Sequence, residues 1–213
     1  MEIEIALVVK SSAAIVIAYA LGSVSWAYVI GRAVRGVDMT EVGNGRIGAS
    51  FAIQRLGWGW GLVVAVLDFL KGTAAVAVAL AMAAPPVIVL LCGLVVVAGH
   101  NWSVFLGFKG GRGAATSFGV LAAAAPLPMI MAIVIMAAPV LMTRHLLYIG
   151  GLRRTTLMFG IFLLVVSVVL WLDLAYPFTP AVPWWPESSP LMVAFPPCLI
   201  ILNIAGRPEA RRV

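Results

Sequence analysis

Within the apolar run 58–83, the segment Leu62-Val63-Val64-Ala65-Val66-Leu67-Asp68-Phe69-Leu70-Lys71-Gly72-Thr73-Ala74-Ala75-Val76-Ala77-Val78-Ala79-Leu80 carries two charges, Asp68 and Lys71. A bilayer's hydrocarbon core takes about 20 residues of helix, and this run is long enough to cross it. At i and i+3 the two charges share one helix face and read as a mutually neutralised structural pair, although intramembrane charges also mark functional sites. Six further apolar runs accompany it, at 3–30, 87–105, 114–125, 127–142, 156–174 and 191–205. Of 213 residues 63% are hydrophobic and 10% charged. A soluble domain cannot cover its surface from that composition. The expected fold is an all-α membrane protein of about seven transmembrane helices forming one polytopic domain over 1–213. Pro126 and Pro128 separate the two shorter runs, which read as two spans in preference to one re-entrant hairpin.

The formal charge of +6 would suggest nucleic acid in a soluble protein. Here the basic residues gather at the ends of alternate apolar runs: Arg32, Arg35, Arg46 and Arg55; Lys109 and Arg112; Arg144, Arg153 and Arg154; Arg207, Arg211 and Arg212. The opposite connections, at Pro85-Pro86, at 126–128 and at 173–190, contain no Lys or Arg. The positive-inside rule then predicts a cytoplasmic C-terminus, an outer N-terminus and contact with anionic lipid rather than nucleic acid. Glu2 and Glu4 argue against a cleavable signal, which opens with basic residues. Cys92 and Cys198 read as small buried hydrophobes without metal or disulfide spacing, and neither metal nor cofactor is expected.

Two basic, glycine-rich loops fall on the predicted cytoplasmic side. The first contains Gly43, Asn44, Gly45, Arg46, Ile47, Gly48, Ala49 and Ser50. Its glycines permit backbone shapes whose N–H groups converge on an anion, and if Ile47 opens the next helix, the helix dipole adds to that pull. The second is Phe108-Lys109-Gly110-Gly111-Arg112-Gly113-Ala114-Ala115-Thr116, where Arg112 offers a bidentate phosphate grip. Either loop alone reads more readily as a tight cytoplasmic turn obeying the positive-inside rule. Two on one side favour a binding function. His100 and Asn101 lie at the end of the third run, and no Ser-His-Asp, Cys-His or paired-carboxylate set can be assembled from spacing.

These segments resemble the bacterial acyl-phosphate-dependent glycerol-3-phosphate acyltransferases, the PlsY family. Residues 99–119, from Gly99-His100-Asn101-Trp102 through Lys109-Gly110-Gly111-Arg112-Gly113 to Gly119, are similar to its GH-x-F-P…FKGGKGVAT-x-x-G stretch, with Arg112 in place of the second lysine. Gly22-Ser23-Val24-Ser25 with Tyr28 resembles the family's G-S-x-P-x-x-Y opening without its proline, and Asp68 to Gly72 matches D-x-x-K-G. Departures fall in the other motifs. In the GSGN-x-GATN loop the serine is Asn44 and the two asparagines are Arg46 and Phe51; the family arginine aligns with Gln54, beside Arg55. The later T-R-Y-x-S-x-x-S loop keeps Thr143-Arg144 and has Leu147 and Gly150 for its serines. The C-terminal H-R-x-N-I signature is reduced to Asn203-Ile204, with Ile200 for its histidine.

The resemblance implies a multi-pass enzyme of the bacterial inner membrane that transfers a fatty acyl group from acyl phosphate to the 1-hydroxyl of glycerol 3-phosphate, giving lysophosphatidate. It implies catalytic roles for His100, Lys109 and Arg112. Substrate or phosphate contacts are implied for Gly43, Asn44, Gly45, Arg46, Gly48, Ser50, Arg55, Asn101, Gly110, Gly111, Gly113, Thr116 and Asn203, with Asp68 and Lys71 bracing the helices. The replaced ligands leave two alternatives open: the same fold with another acyl donor or acceptor, or a non-catalytic membrane protein or anion transporter.

Overall fold

The computed structural model describes residues 2–41, 47–131, 133–134, 161–166, 168, 197–199 and 201–202. The named elements among them are helices: α1 (Glu2–Ser23), α2 (Trp26–Arg35), α3 (Ala49–Leu56), α4 (Trp58–Ala81), α5 (Pro86–Asn101) and α6 (Ala114–Ala124), with a 3-10 turn at Val104–Leu106. No strand occurs among the described residues, and an isolated bridge pairs Ser103 with Lys109. Two helical stretches, Glu4–Arg35 and Trp58–Ala81, are long and apolar enough to cross a bilayer, each with mean hydropathy 2.0. Their outward side chains include Val8, Val16, Leu62 and Leu70, all exposed. Such faces are costly in water and at home in lipid. The expected spans at 127–142, 156–174 and 191–205 lie largely outside the described residues, as do Arg144, His145, Arg153, Arg154, Arg207, Arg211 and Arg212.

The chain groups into two compact units, Met1–Ala123 with Leu202–Val213, and Ala124–Ile201. In the second unit a helical stretch over 126–131 opens on Pro126, and Met129 N–H bonds to Ala125 O at 3.1 Å. Proline suits a helix's first position because its missing N–H would have no helical partner there. Ala124, Ala125, Phe162, Leu163, Val166 and Leu199 are among the buried apolar residues described in that unit.

In the first unit, the run 3–30 departs from expectation: it is two helices, broken at Val24-Ser25. Ser25 is extended, with φ −94° and ψ 99°, and its carbonyl accepts the first α2 bond from Val29. A helix end leaves its last carbonyls without intrahelical partners, so a buried end needs outside donors. Lys71 supplies them to Gly22 O and Val24 O. At the other end of α2, left-handed Gly36 closes the helix, its N–H bonded to Arg32 O, with Arg32 and Arg35 placed favourably against the helix dipole. Gly57, at φ 94° and ψ 169°, then turns α3 directly into α4, a backbone shape open to glycine. A small core of Ala27, Ile30, Met39, Ile47, Ala52, Leu56 and Val64 fills the space beneath α2, α3 and α4.

Glycines set the helix spacing. A Cβ on Gly22 would collide with the Val96 carbonyl, and one on Gly99 with Tyr19 O, so α1 and α5 touch backbone to backbone. The same holds between α4 and α6, where Gly72 faces Thr116 O and Gly119 faces Phe69 O. Close approach matters in lipid, where apolar burial gives no net drive and packing supplies the attraction. Gly119→Ala should therefore lower stability by about 1–3 kcal/mol through overpacking. Gly59 meets nothing within 4 Å, so Gly59→Ala should instead be neutral or stabilising. Thermal unfolding of the two purified variants in detergent tests the contrast; equal midpoints would contradict the packing.

Candidate active site

The second glycine loop hangs from the C-terminal ends of α1 and α5. Three consecutive carbonyls at the end of α1 are taken by side chains from elsewhere: Gly22 O and Val24 O by Lys71 Nζ at 3.0 and 2.8 Å, and Ser23 O by Ser103 Oγ at 2.6 Å. Tyr19 adds a bond from its hydroxyl to Trp102 O at 2.8 Å. The end of α5 is thereby fixed on the end of α1. From there the chain makes a tight excursion, with Phe108 N–H on Ser103 O at 2.8 Å and Lys109 N–H on Leu106 O at 3.2 Å. Gly107 and Phe108 both take positive φ, 60° and 61°. Phe105, Phe108 and Lys109 stay exposed at its tip.

The loop then folds back under the end of α5. Gly110 would place a Cβ on His100 O, and Gly111 N–H donates to that same carbonyl at 3.1 Å. Gly113 has φ 73° and lies against Asn101 Oδ1; its own carbonyl accepts the Ser117 N–H at 2.7 Å as α6 begins. The glycines are needed for close approach and, at Gly113, for a left-handed backbone.

The two glycine loops meet. Ile47 N–H donates to Gly110 O at 3.2 Å, and a Cβ on Gly48 would sit 4.0 Å from Gly111 Cα. Gly43, Asn44, Gly45, Arg46 and Asn203 lie outside the described residues. Both flanks of residues 42–46 are anchored, since Met39 and Ile47 are buried in the small core. Ahead of the loop, Thr40 donates its hydroxyl and N–H to Asp38 Oδ1 at 2.6 and 2.9 Å. These bonds hold the Asp38 carboxyl below its ordinary pKa, with smaller help from the charges of Arg32 and Lys109.

Beneath the loops lies a buried charged cluster. Asp68 Oδ1 is 3.0 Å from Lys71 Nζ and 3.5 Å from His100 Nδ1. Gly22 O, Val24 O and Asp68 Oδ1 together match the ammonium's three protons. Lys71 is thus both the pair partner of Asp68 and the cap of α1.

Several expectations change with this geometry. Ile47 does not open the next helix: α3 begins at Ala49, and the Ile47 amide is engaged by Gly110. The Gly111 N–H serves the end of α5 rather than an anion, because that carbonyl is itself a helix-end acceptor. Asn101 is 2% exposed and donates from Nδ2 to Leu202 O at 2.6 Å, so its amide ties down the chain at Leu202. Thr116 is wholly buried, with its carbonyl against Gly72 of α4. Arg55 and Ser50 are exposed on α3, and the Arg55 guanidinium lies 5.5 Å from the Phe51 ring centroid. The structure brings Gly48, Gly110, Gly111, Gly113, His100, Asp68 and Lys71 together, with Arg112 half-buried in the same loop. The Asp68–His100 contact and the capping of α1 by Lys71 have no signature in residue spacing. Their one sequence signal is that two charges and a histidine fall in apolar runs.

A family model described as glycerol-3-phosphate acyltransferase matches residues 12–204. A glycerol-3-phosphate acyltransferase 2 of Moorella thermoacetica is 44% identical over 133 residues, covering 62% of this chain and 68% of the relative. A glycerol-3-phosphate acyltransferase of Desulforudis audaxviator is 37% identical over 166 residues, 71% of this chain and 83% of the relative. Among solved structures, PlsY, an integral membrane glycerol 3-phosphate acyltransferase in its glycerol 3-phosphate form, superposes with a TM-score of 0.69 at 28% identity, covering 92% of this chain and 88% of that one. Its lysophosphatidic acid form gives 0.67 at 26% identity, with 94% of each chain covered.

Lys71→Met should destabilise the protein by about 3–5 kcal/mol, because it leaves a buried carboxylate and two helix-end carbonyls without their donor. Adding Asp68→Asn should recover part of that loss. Detergent denaturation of the two variants checks both signs, and a harmless single substitution would contradict the clamp.

Proposed function

The chain belongs to the glycerol-3-phosphate acyltransferase family, and from that membership we propose that it moves a fatty acyl group from acyl phosphate to the 1-hydroxyl of glycerol 3-phosphate. The acyltransferase activity and the membrane setting follow from the family; the donor, the position acylated and the residue roles are the proposal. In the step itself the hydroxyl oxygen attacks the acyl carbonyl carbon, the bond from that carbon to the phosphate oxygen breaks, and the hydroxyl proton leaves with the phosphate or to solvent. Lysophosphatidate and inorganic phosphate result.

The observation that supports this most directly is the joining of the two glycine loops through Ile47 N–H and Gly110 O. Acyl phosphate is already activated, so the protein's task is to hold two mutually repelling anions close and oriented. Lys109 and Arg112 hold one phosphate with amides of the second loop other than that of Gly111, and residues 43–46 and Gly48, with the Arg46 guanidinium, hold the other. Arg55, on the α3 face that follows, adds positive charge that gathers anionic substrate. The acyl chain lies among the helices while glycerol 3-phosphate arrives from the cytoplasm. In this reading the whole chain is one multi-pass domain of the bacterial inner membrane with about seven spans, its two loops on the cytoplasmic side by the positive-inside rule.

Purified protein mixed with acyl phosphate and labelled glycerol 3-phosphate should yield lysophosphatidate. Arg112→Ala should lower turnover roughly 10²–10³-fold, the scale of losing one positioned charge donor. Wild-type turnover in that variant would exclude Arg112, and no product from the wild-type protein would exclude the donor and acceptor proposed.

A further inference from the structure

His100 is 8% exposed, and its two ring nitrogens face different things. Nδ1 makes no hydrogen bond among the described residues and lies 3.5 Å from Asp68 Oδ1. Nε2 lies so close to the second loop that a Cβ on Gly111 would fall on it. The ring is therefore a wedge between a buried carboxylate and the backbone of Gly111. Buried beneath that backbone, Nε2 is badly placed to take a proton from a substrate hydroxyl. A neutral imidazole carries one ring proton, and a carboxylate facing one nitrogen draws the proton there and fixes the ring's orientation. Lys71, the other charged group at this cluster, holds the same carboxylate oxygen at 3.0 Å while it caps α1.

We propose that Asp68 is a positioning residue for acyl transfer: through the Nδ1 proton of His100 it fixes the ring against Gly111 and so sets where the second glycine loop holds a phosphate-bearing substrate. This rests on the acyl-transfer reading above and goes beyond it by giving the buried pair a part in substrate placement. Asp68→Asn turns an acceptor into a possible donor, which favours moving the ring proton to Nε2, facing Gly111.

The test uses the full chain in detergent, labelled with ¹⁵N-histidine in a His145→Gln background so that His100 alone reports. Wild-type protein should show Nδ1 protonated and Nε2 bare, and Asp68→Asn should shift the proton to Nε2. The same variant should raise KM for one of the two phosphate-bearing substrates at least tenfold while kcat falls less than threefold. Should the single variant fail to fold, Asp68→Asn with Lys71→Gln removes both charges together and is held to the same two results. An unchanged ring proton, or a loss confined to kcat with both KM values intact, would overturn the role while leaving the acyltransferase reading standing. Wild-type protein that transfers no acyl group would remove that reading, and this role with it, whatever the ring proton does.

Discussion

An ammonium group buried among apolar helices must find its acceptors within the protein, and Lys71 finds them at the end of α1 and on Asp68. That requirement sets much of the local architecture. It stops α1 at Ser23, which frees the chain to leave as the separate, amphipathic α2. It holds the middle of α4 against the end of α1. Through Asp68 it also reaches His100 at the end of α5. The cost of burying each charge is offset only while all the partners are present, so the three helix positions are coupled.

On that base the glycine loops follow from contact distance. Side chains larger than hydrogen at Gly110 or Gly111 would meet the end of α5, and at Gly113 the left-handed φ adds to the restriction. Ile47, anchored in the small core below α2 to α4, brings the first loop to Gly110 by one backbone bond. Two segments more than sixty residues apart in sequence therefore form adjacent walls, Gly48 beside Gly111. Under the proposed reaction, adjacent loops bearing Lys109 and Arg112 would offset the mutual repulsion of two phosphate-bearing molecules.

Much of this was legible in the residues. Apolar runs give the helical membrane character, Pro85-Pro86 the turn before α5, and the two glycine-rich loops the place where chemistry gathers. The order of motifs gives the family. What was illegible depends on contacts between distant segments. The break at Val24-Ser25 occurs without the proline that would have announced it, because Lys71 provides the carbonyls with donors. Ile47 reads as a helix start until its N–H is seen to be engaged by Gly110. Asn101 and Thr116 sit in the right motif, yet burial gives them packing partners. Spacing cannot reveal that Asp68 of α4 faces His100 of α5, since that meeting is made by the packing of both helices on α1.

The central claim is that the two loops act as one site. Amide hydrogen exchange of residues 43–48 and 110–113, in the protein alone and with glycerol 3-phosphate and the proposed acyl phosphate, tests it most directly. The account predicts that the two segments gain protection together. Protection of one loop alone, or of neither, would contradict it.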